Sequence, residues 1–392
     1  MSESNDRPRA DGNNRRASLH SALWFLRDGR PRSTPELAAL LNVTPSTALR
    51  LTQTLHTAGL VSEAAQVSSG AAGRPAKSWQ LRAEAGHVLG LSAFPEEIIA
   101  IVTDLGGRLL ARRVLPAETG FNAVNLPWGV REVAQATMAD AGIASVLGAG
   151  VAMPGMIDSD EGIVRVGWHF RWSGSHVYDY PLRDALEQAL ECPVALDNDA
   201  NACATAVFQH HLADGVVGSD DSLVYWLGLP RSPAWHGGLG LIIGGQPYRG
   251  RQYAVGELFH NLPPLSPEPC PESLCVRAME GDQEAARAFL RAMRPTVAFM
   301  LGLAVPLDPQ LIVFGGSWTV LGDAISRLLS EEMGAFRVTH EHIVAVACPT
   351  AALDPLWPNT IELGAARTIL DKLFLAEHAT LEHVLLPRAL SA

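Results

Sequence analysis

From Ala17 the apolar positions fall at helical spacing. Leu19, Ala22, Leu23 and Leu26 recur and stop at Asp28-Gly29, which predicts a first helix. A second, short helix starts at Ser33 or Thr34, with Pro35 at its first position, Glu36 in its first turn, and Leu37, Leu40 and Leu41 on its apolar face. Asn42-Val43 breaks it. Thr44-Pro45 repeats the cap-and-proline start, and Ala48, Leu51, Leu55 and Leu60 mark the buried stripe of a third helix that ends at Gly59. Two helices joined by so short a turn form a helix-turn-helix unit. Leu60-Val61 and Ser78-Trp79-Gln80-Leu81 then read as the two strands of a wing, with a Ser/Gly/Ala loop from Val67 to Gly73 at its tip.

From about His87 the pattern becomes a Gly-rich alternation of apolar strands and amphipathic helices. Residues 88–115 read as strands turning at Gly106-Gly107, residues 145–158 as a buried strand ending in a loop, and residues 193–208 as a strand running into a helix. Residues 311–329 repeat that strand-loop-helix logic, so the body of the chain is α/β, and the two halves are candidates for duplicated lobes. Residues 1–16 are polar and without period, which predicts a disordered tail.

With 392 residues, of which 47% are hydrophobic, the chain is too long for one ordinary core and predicts two or three domains. It contains no run of eighteen apolar residues and its first residues lack an apolar signal core, which predicts neither a membrane span nor secretion and places the protein in the cytoplasm. Five scattered cysteines, an odd number, fit a reducing compartment. The net charge of −11 argues against nucleic acid until its distribution is seen. Residues 1–82 carry 11 Lys and Arg against 6 Asp and Glu, a surplus of +5, while the rest of the chain stands at −16. A basic arm on an acidic body is a sign of nucleic-acid binding; a mobile basic tail would give the same balance.

A helix-turn-helix sets the start of its second helix in the major groove. Thr44, Ser46, Thr47, Arg50, Gln53 and Thr54 are therefore the candidates to face bases and phosphates of double-stranded DNA. Arg50 either forks onto a guanine edge or grips a phosphate. A helical hairpin that mediates partner contacts is the alternative use of the same elements.

Over roughly residues 17–376 the chain resembles the ROK family of sugar kinases and sugar-responsive transcriptional regulators. The resemblance rests on the order and spacing of several short motifs. They are Gly73-Arg74-Pro75, Met153-Pro154-Gly155, Asp197-Asn198-Asp199-Ala200-Asn201-Ala202, Tyr248-Arg249-Gly250, Gly256-Glu257-Leu258-Phe259-His260, Gly315-Gly316 and Gly364-Ala365-Ala366-Arg367. It implies an N-terminal winged helix-turn-helix over 17–82 and an actin-like, two-lobed sugar-kinase-type body. The first lobe would span 83–200, completed by a C-terminal helix over 361–376; the second would span 201–360; and 377–392 would be a tail. It also implies that Arg74 enters a narrow A/T-rich minor groove, as the wing of such regulators does.

On the sugar side the resemblance assigns ligand contacts to Asn198, Asp199, Glu257 and His260, Asp199 standing where the kinases keep their catalytic base. Read without the family, Asn198-Asp199 is equally a helix cap and His260 a surface or satisfied core histidine. On the nucleotide side the pattern departs. The family's Asp-x-Gly-x-Thr loop is replaced by Ser92-Ala93-Phe94-Pro95-Glu96, and the second phosphate loop carries Trp235 and His236 in place of small residues. Phosphoryl transfer depends on positioning and neutralising the nucleotide, so no kinase activity and no cofactor are expected. The family's Trp-rich loop reads Gly167-Trp168-His169-Phe170-Arg171-Trp172 and lacks the sugar-touching Asn, and Arg277 replaces a glutamate. Of the family's zinc ligands only His260, Cys270 and Cys275 remain, short of the four a structural zinc takes, so no metal is expected.

The expected function is thus a sugar-responsive transcriptional repressor without enzymatic activity, acting on a DNA operator as a homodimer or dimer of dimers. The alternatives are a carbohydrate kinase carrying a DNA-binding domain and a regulator controlled by a protein partner.

Overall fold

The computed structural model describes residues 15–64, 77–117, 120–172, 175–228, 237–257, 272–316, 318–319 and 350–374. The chain divides into two compact units: Met1–Val151, Leu182–Leu196 and Ala365–Ala392 form one, and Ala152–Pro181 and Asp197–Gly364 the other. The second unit takes residues 152–181, 197–200 and 361–364, all expected in the first lobe, and so holds Asn198 and Asp199.

The first unit opens with α1 (Arg15–Leu26), β1 (Arg32–Ser33), α2 (Thr34–Leu40), α3 (Pro45–Thr57), β2 (Val61–Ala64) and β3 (Ser78–Leu81). Each start is chemically specified. Ser33 caps α2 in a reciprocal box: its hydroxyl accepts from Glu36 N–H at 3.4 Å and the Glu36 carboxylate accepts from Ser33 N–H at 2.6 Å. Thr44 caps α3, accepting from Thr47 N–H at 3.3 Å, with Pro45 in the first turn. Strands β1, β3 and β2 make an antiparallel sheet in that order. Trp79 of β3 is buried, and its indole N–H is satisfied by Thr34 Oγ1 at 3.1 Å.

Next come β4 (His87–Ala93), β5 (Glu97–Asp104), β6 (Leu109–Pro116), α4 (Leu126–Ala141) and β7 (Ala149–Met153). They are followed by β8 (Met156–Asp158), β9 (Ile163–Trp172), β10 (Ser175–Tyr180), α5 (Leu182–Leu190), β11 (Val194–Asn198) and α6 (Asp199–Ala213). The last group is β12 (Leu223–Gly228), β13 (Gly237–Ile243), β14 (Gln246–Pro247), α7 (Glu272–Met279), α8 (Gln283–Ala304), β15 (Leu311–Gly316), β16 (Thr350–Leu353) and α9 (Thr360–Phe374). Two five-stranded sheets result, ordered β6-β5-β4-β7-β11 and β14-β13-β12-β15-β16. Numbered within each sheet, both run 3-2-1-4-5, and each fifth strand leads into a helix, α6 or α9. The duplication read from the sequence is thus a duplication of topology. Residues 167–172, expected as a loop, instead finish β9, which pairs with β10 and β8 in a third sheet.

One core runs beneath the N-terminal helices. Leu19, Leu23, Leu26, Leu37, Leu51, Leu55 and Trp79 pack in the same buried cluster as Ala366, Ile369, Leu370, Leu373 and Phe374 of α9. Each fully buried Leu or Phe contributes about 1.5–3 kcal/mol, so the N-terminal elements draw much of their stability from a helix at the far end of the sequence. Beside this core, Asp371 Oδ1 makes ion pairs with Arg367 Nε at 2.9 Å and Arg27 Nε at 3.3 Å. The Arg27 guanidinium also lies 3.5 Å over the Trp24 ring and donates to Trp24 O at 2.9 Å. Burial pulls the Arg27 pKa down to about 10, against the attraction of Asp371, so it stays charged at neutral pH.

Candidate functional site

The second unit gathers its chemistry where β11 enters α6. Asn198 is the N-cap of α6: its Oδ1 accepts from Ala200 N–H at 2.9 Å and Asn201 N–H at 3.2 Å. The cap reading of this residue holds, and the same side chain turns its Nδ2 toward Gly155 O at 3.2 Å and Glu257 Oε1 at 3.5 Å. Gly155 has φ of +127°, and a Cβ there would sit 2.5 Å from Val166 O, so only glycine admits this approach. On the other side, Gly256 has φ of +92° and a Cβ would meet Leu239 O at 2.0 Å, which lets the backbone deliver Glu257 beside Asn198.

Asp199 is buried, accepting Ala200 N–H at 2.9 Å. Burial pushes its pKa up to about 6, with nearby Asp197 adding to the rise and the Ala200 amide opposing it. Glu257 is pushed up to about 8, by burial first and by Asp199 second. Near neutral pH such a pair holds a proton on Glu257 and a charge on Asp199, one donor beside one acceptor, which suits a pair of hydroxyls.

Asp197, just before the cap, is tied down by Arg249: Nε donates to Oδ1 at 3.1 Å and Nη2 donates to Oδ2. Both residues lie in motifs visible in the sequence, but nothing in their spacing disclosed the pairing. Of the four expected ligand residues, the structure brings Asn198, Asp199 and Glu257 together; His260 lies outside the described residues.

The expected DNA-facing residues sort as a helix surface should. On α3, Ser46, Arg50 and Gln53 are exposed, as is the cap Thr44, Thr47 and Thr54 are half-buried, and Ala48, Leu51, Thr52 and Leu55 point into the core. Thr44 Oγ1 lies 3.0 Å from both Ser46 Oγ and Thr47 Oγ1, and Thr54 Oγ1 donates to Arg50 O at 3.0 Å. The face is therefore a row of mutually ordered hydroxyls around one arginine. Arg74 lies outside the described residues.

At the first expected phosphate loop, Ser92 and Ala93 are buried at the end of β4 and the chain turns tightly through Phe94-Pro95-Glu96. Phe94 N–H donates to Glu97 O at 2.9 Å, Pro95 has no N–H, and the carbonyls of Pro95 and Glu96 accept from Phe121 and Ala117. Such a turn offers few free amides to a phosphate. The second loop, with Trp235 and His236, lies outside the described residues, as does Cys270; Cys275 is on α7 but its side chain is not described. Among the described residues no group of three or more His, Cys, Asp or Glu side chains is placed to hold a metal, and no helix is long and apolar enough to cross a membrane.

Paired 3-2-1-4-5 sheets with a polar corner after a fifth strand define a mixed α/β, sugar-kinase-like fold. Residues 95–276 match the model of the ROK family. A xylose repressor from Caldicellulosiruptor bescii is 24% identical over 243 residues, covering 61% of this chain and 56% of the repressor. The crystal structure of a ROK hexokinase from Thermus thermophilus is 26% identical and matches 72% of this chain and 97% of its own, with a TM-score of 0.53. A ROK family transcriptional regulator, a homologue of the E. coli Mlc protein, matches 95% of this chain and 98% of its own at 19% identity and a TM-score of 0.63, a likeness of fold. The chain spans about half the length of the curated relatives it matches. Its relatives thus include both repressors and sugar kinases.

Proposed function

We propose that this protein is a DNA-binding transcriptional regulator, a repressor, whose ROK domain senses a sugar or sugar derivative in the cytoplasm and transfers no phosphoryl group. The observation that carries the reading is α3: a helix held by a cap, a proline and a four-residue buried stripe, with hydroxyls, Gln53 and Arg50 turned outward. With α1, α2 and the β1-β3-β2 sheet it makes a winged helix-turn-helix, and Arg74 is assigned to the minor groove. Two copies, as a homodimer or dimer of dimers, would meet an inverted repeat. The effector is a polyol held by Asn198, Asp199 and Glu257, joined by His260. Selection of bound genomic fragments, with and without a panel of hexoses, pentoses and N-acetylated sugars, tests both halves. An enriched inverted repeat, lost in Arg50→Ala and altered by one sugar, is expected; no enriched sequence would sink the regulator reading.

A kinase with an added domain is the second reading, favoured by the hexokinase likeness and by the buried carboxylate of Asp199, which the family resemblance sets at the position of a catalytic base. Against it stands the closed turn at Phe94–Glu96. Sugar-dependent ATP turnover exceeding that of Asp199→Asn would establish it.

A further inference from the structure

Asp197 is the most deeply buried acid of the ligand corner, its side chain 1% exposed. Its two oxygens take four donors. Besides the Arg249 fork, Oδ1 accepts from the Ser159 hydroxyl at 3.3 Å and from Asn198 N–H at 2.9 Å. Asp197 therefore orients the backbone amide of the cap residue directly, and Arg249 orients Asp197. Arg249 in turn sits on the segment that continues through Gly256 to Glu257, so one guanidinium ties the β11–α6 corner to the stretch of chain that supplies its facing carboxylate. Sequence distance between the partners is large, 52 residues, and all of them belong to the second unit.

We propose that Arg249 is a positioning residue for this site: its fork on Asp197 holds the Asn198–Asp199 corner and the Glu257 segment in one register, and its charge cancels the one buried beside them. The proposal rests on the reading of this corner as the ligand site, but its test does not use an effector. A guanidinium suits the task because it is planar and holds two oxygens at once, whereas an ammonium is a point charge. The electrostatics run the same way. Asp197, Asp199 and Glu257 are three carboxylates with one cation among them, and uncovering Asp197 would set a bare like charge beside Asp199 and disfavour its ionisation. The other groups that act on Arg249 are Asp160 and Tyr253, whose hydroxyl donates to Asp160 at 2.6 Å; those acting on Asp199 are Asp197, Asn198 and the Ala200 amide, with Glu257 coupled to it.

The experiment is a carbon-13 carboxyl titration of the full chain between about pH 4 and 9, the Asp199 resonance assigned by its loss in Asp199→Asn. In Arg249→Met the Asp199 midpoint is expected to rise on the order of one unit. In Asp197→Asn combined with Arg249→Met, where neither charge remains, it is expected to return to the wild-type value or below. A folded Arg249→Met with an unmoved midpoint, or a double variant as raised as the single one, overturns the proposal. Should Arg249→Met fail to fold, Arg249→Lys decides: an ammonium holds one oxygen of Asp197 and not both, so a smaller rise is required and an unmoved midpoint overturns it. If the midpoints move as stated while no sugar binds the wild type, the sugar reading fails and the assignment of Arg249 stands.

Discussion

Beneath the N-terminal helices two guanidiniums, Arg27 and Arg367, share the carboxylate of Asp371, whereas at the β11–α6 corner three carboxylates, Asp197, Asp199 and Glu257, have one guanidinium among the described residues, that of Arg249. The two clusters resemble each other in composition and differ in the sign of their surplus. A surplus guanidinium cannot shed its charge near neutral pH; burial lowers Arg27 only to about 10. A surplus carboxylate can take up a proton, and Asp199 and Glu257 are pushed up to about 6 and about 8. The first cluster is therefore a fixed electrostatic joint and the second an adjustable one. A joint that fastens α1 to α9 should not respond to solution conditions; a corner that holds one proton and one charge can both donate and accept a hydrogen bond.

The largest effect that tests this contrast is Asp371→Ala. It removes the carboxylate shared by two partly buried guanidiniums, leaving Arg27 only the attraction of Asp28, and should cost on the order of 3 kcal/mol in denaturant unfolding, while replacing all three charged groups by apolar ones should recover most of that loss. A loss under about 1 kcal/mol would mean the joint is not a joint. Next is the pH response of the corner. Glu257 titrates near 8 in the folded chain against its ordinary 4.5, so its contribution to stability is full below pH 4.5 and is lost as pH rises through about 8. Glu257→Gln should remove a decline on the order of 2–4 kcal/mol between those limits, seen as a difference in denaturant midpoint at pH 5 and pH 8.5. An unchanged slope would place the proton elsewhere.

Smaller effects belong to exposed groups. Arg50→Ala should weaken operator affinity by about 1–3 kcal/mol with no change in melting temperature, and a loss equal on all DNA sequences would make it a phosphate contact. Smallest of all is Lys77→Ala. The Lys77–Glu63 pair closes to 2.9 Å, but both side chains are about half exposed, so unfolding should shift by less than about 0.5 kcal/mol.

Local chemistry was legible in the sequence, and distant pairing was not. Thr44-Pro45 and the Ser33/Glu36 spacing marked two helix starts because caps are written in neighbouring residues. Strand β1 escaped notice because two residues carry no period. Residues 167–172 read as a loop through their family position, although Trp168, Phe170 and Trp172 alternate as strand residues do; they complete β9. For Asn198 the residues allowed cap or ligand; the structure shows the cap, with Nδ2 turned to Gly155 O and Glu257 Oε1, and no local pattern announced those two partners. The Arg27–Asp371 and Arg249–Asp197 pairs had no local signal at all: a charged residue in an α/β sequence reads as surface until its partner, 52 residues away in one case, is folded against it.

Helix α9 begins in one unit and ends in the other. Its first turn lies against α6, where a Cβ on Gly364 would come within 1.9 Å of Ala202 O, and its last turns close the core over Leu23 and Leu51. The consequence concerns the order of synthesis. Residues 19–81 leave the ribosome early, but the α9 members of their core, the last of them Phe374, follow with a lag on the order of tens of seconds at about 5–20 residues per second. During that interval the apolar stripes of α1 and α3 have no lid, and the outward face of α3 has no firm backing. A chain stopped before Ala366 would therefore leave the apolar stripes of α1 and α3 without the residues of α9 that pack against them.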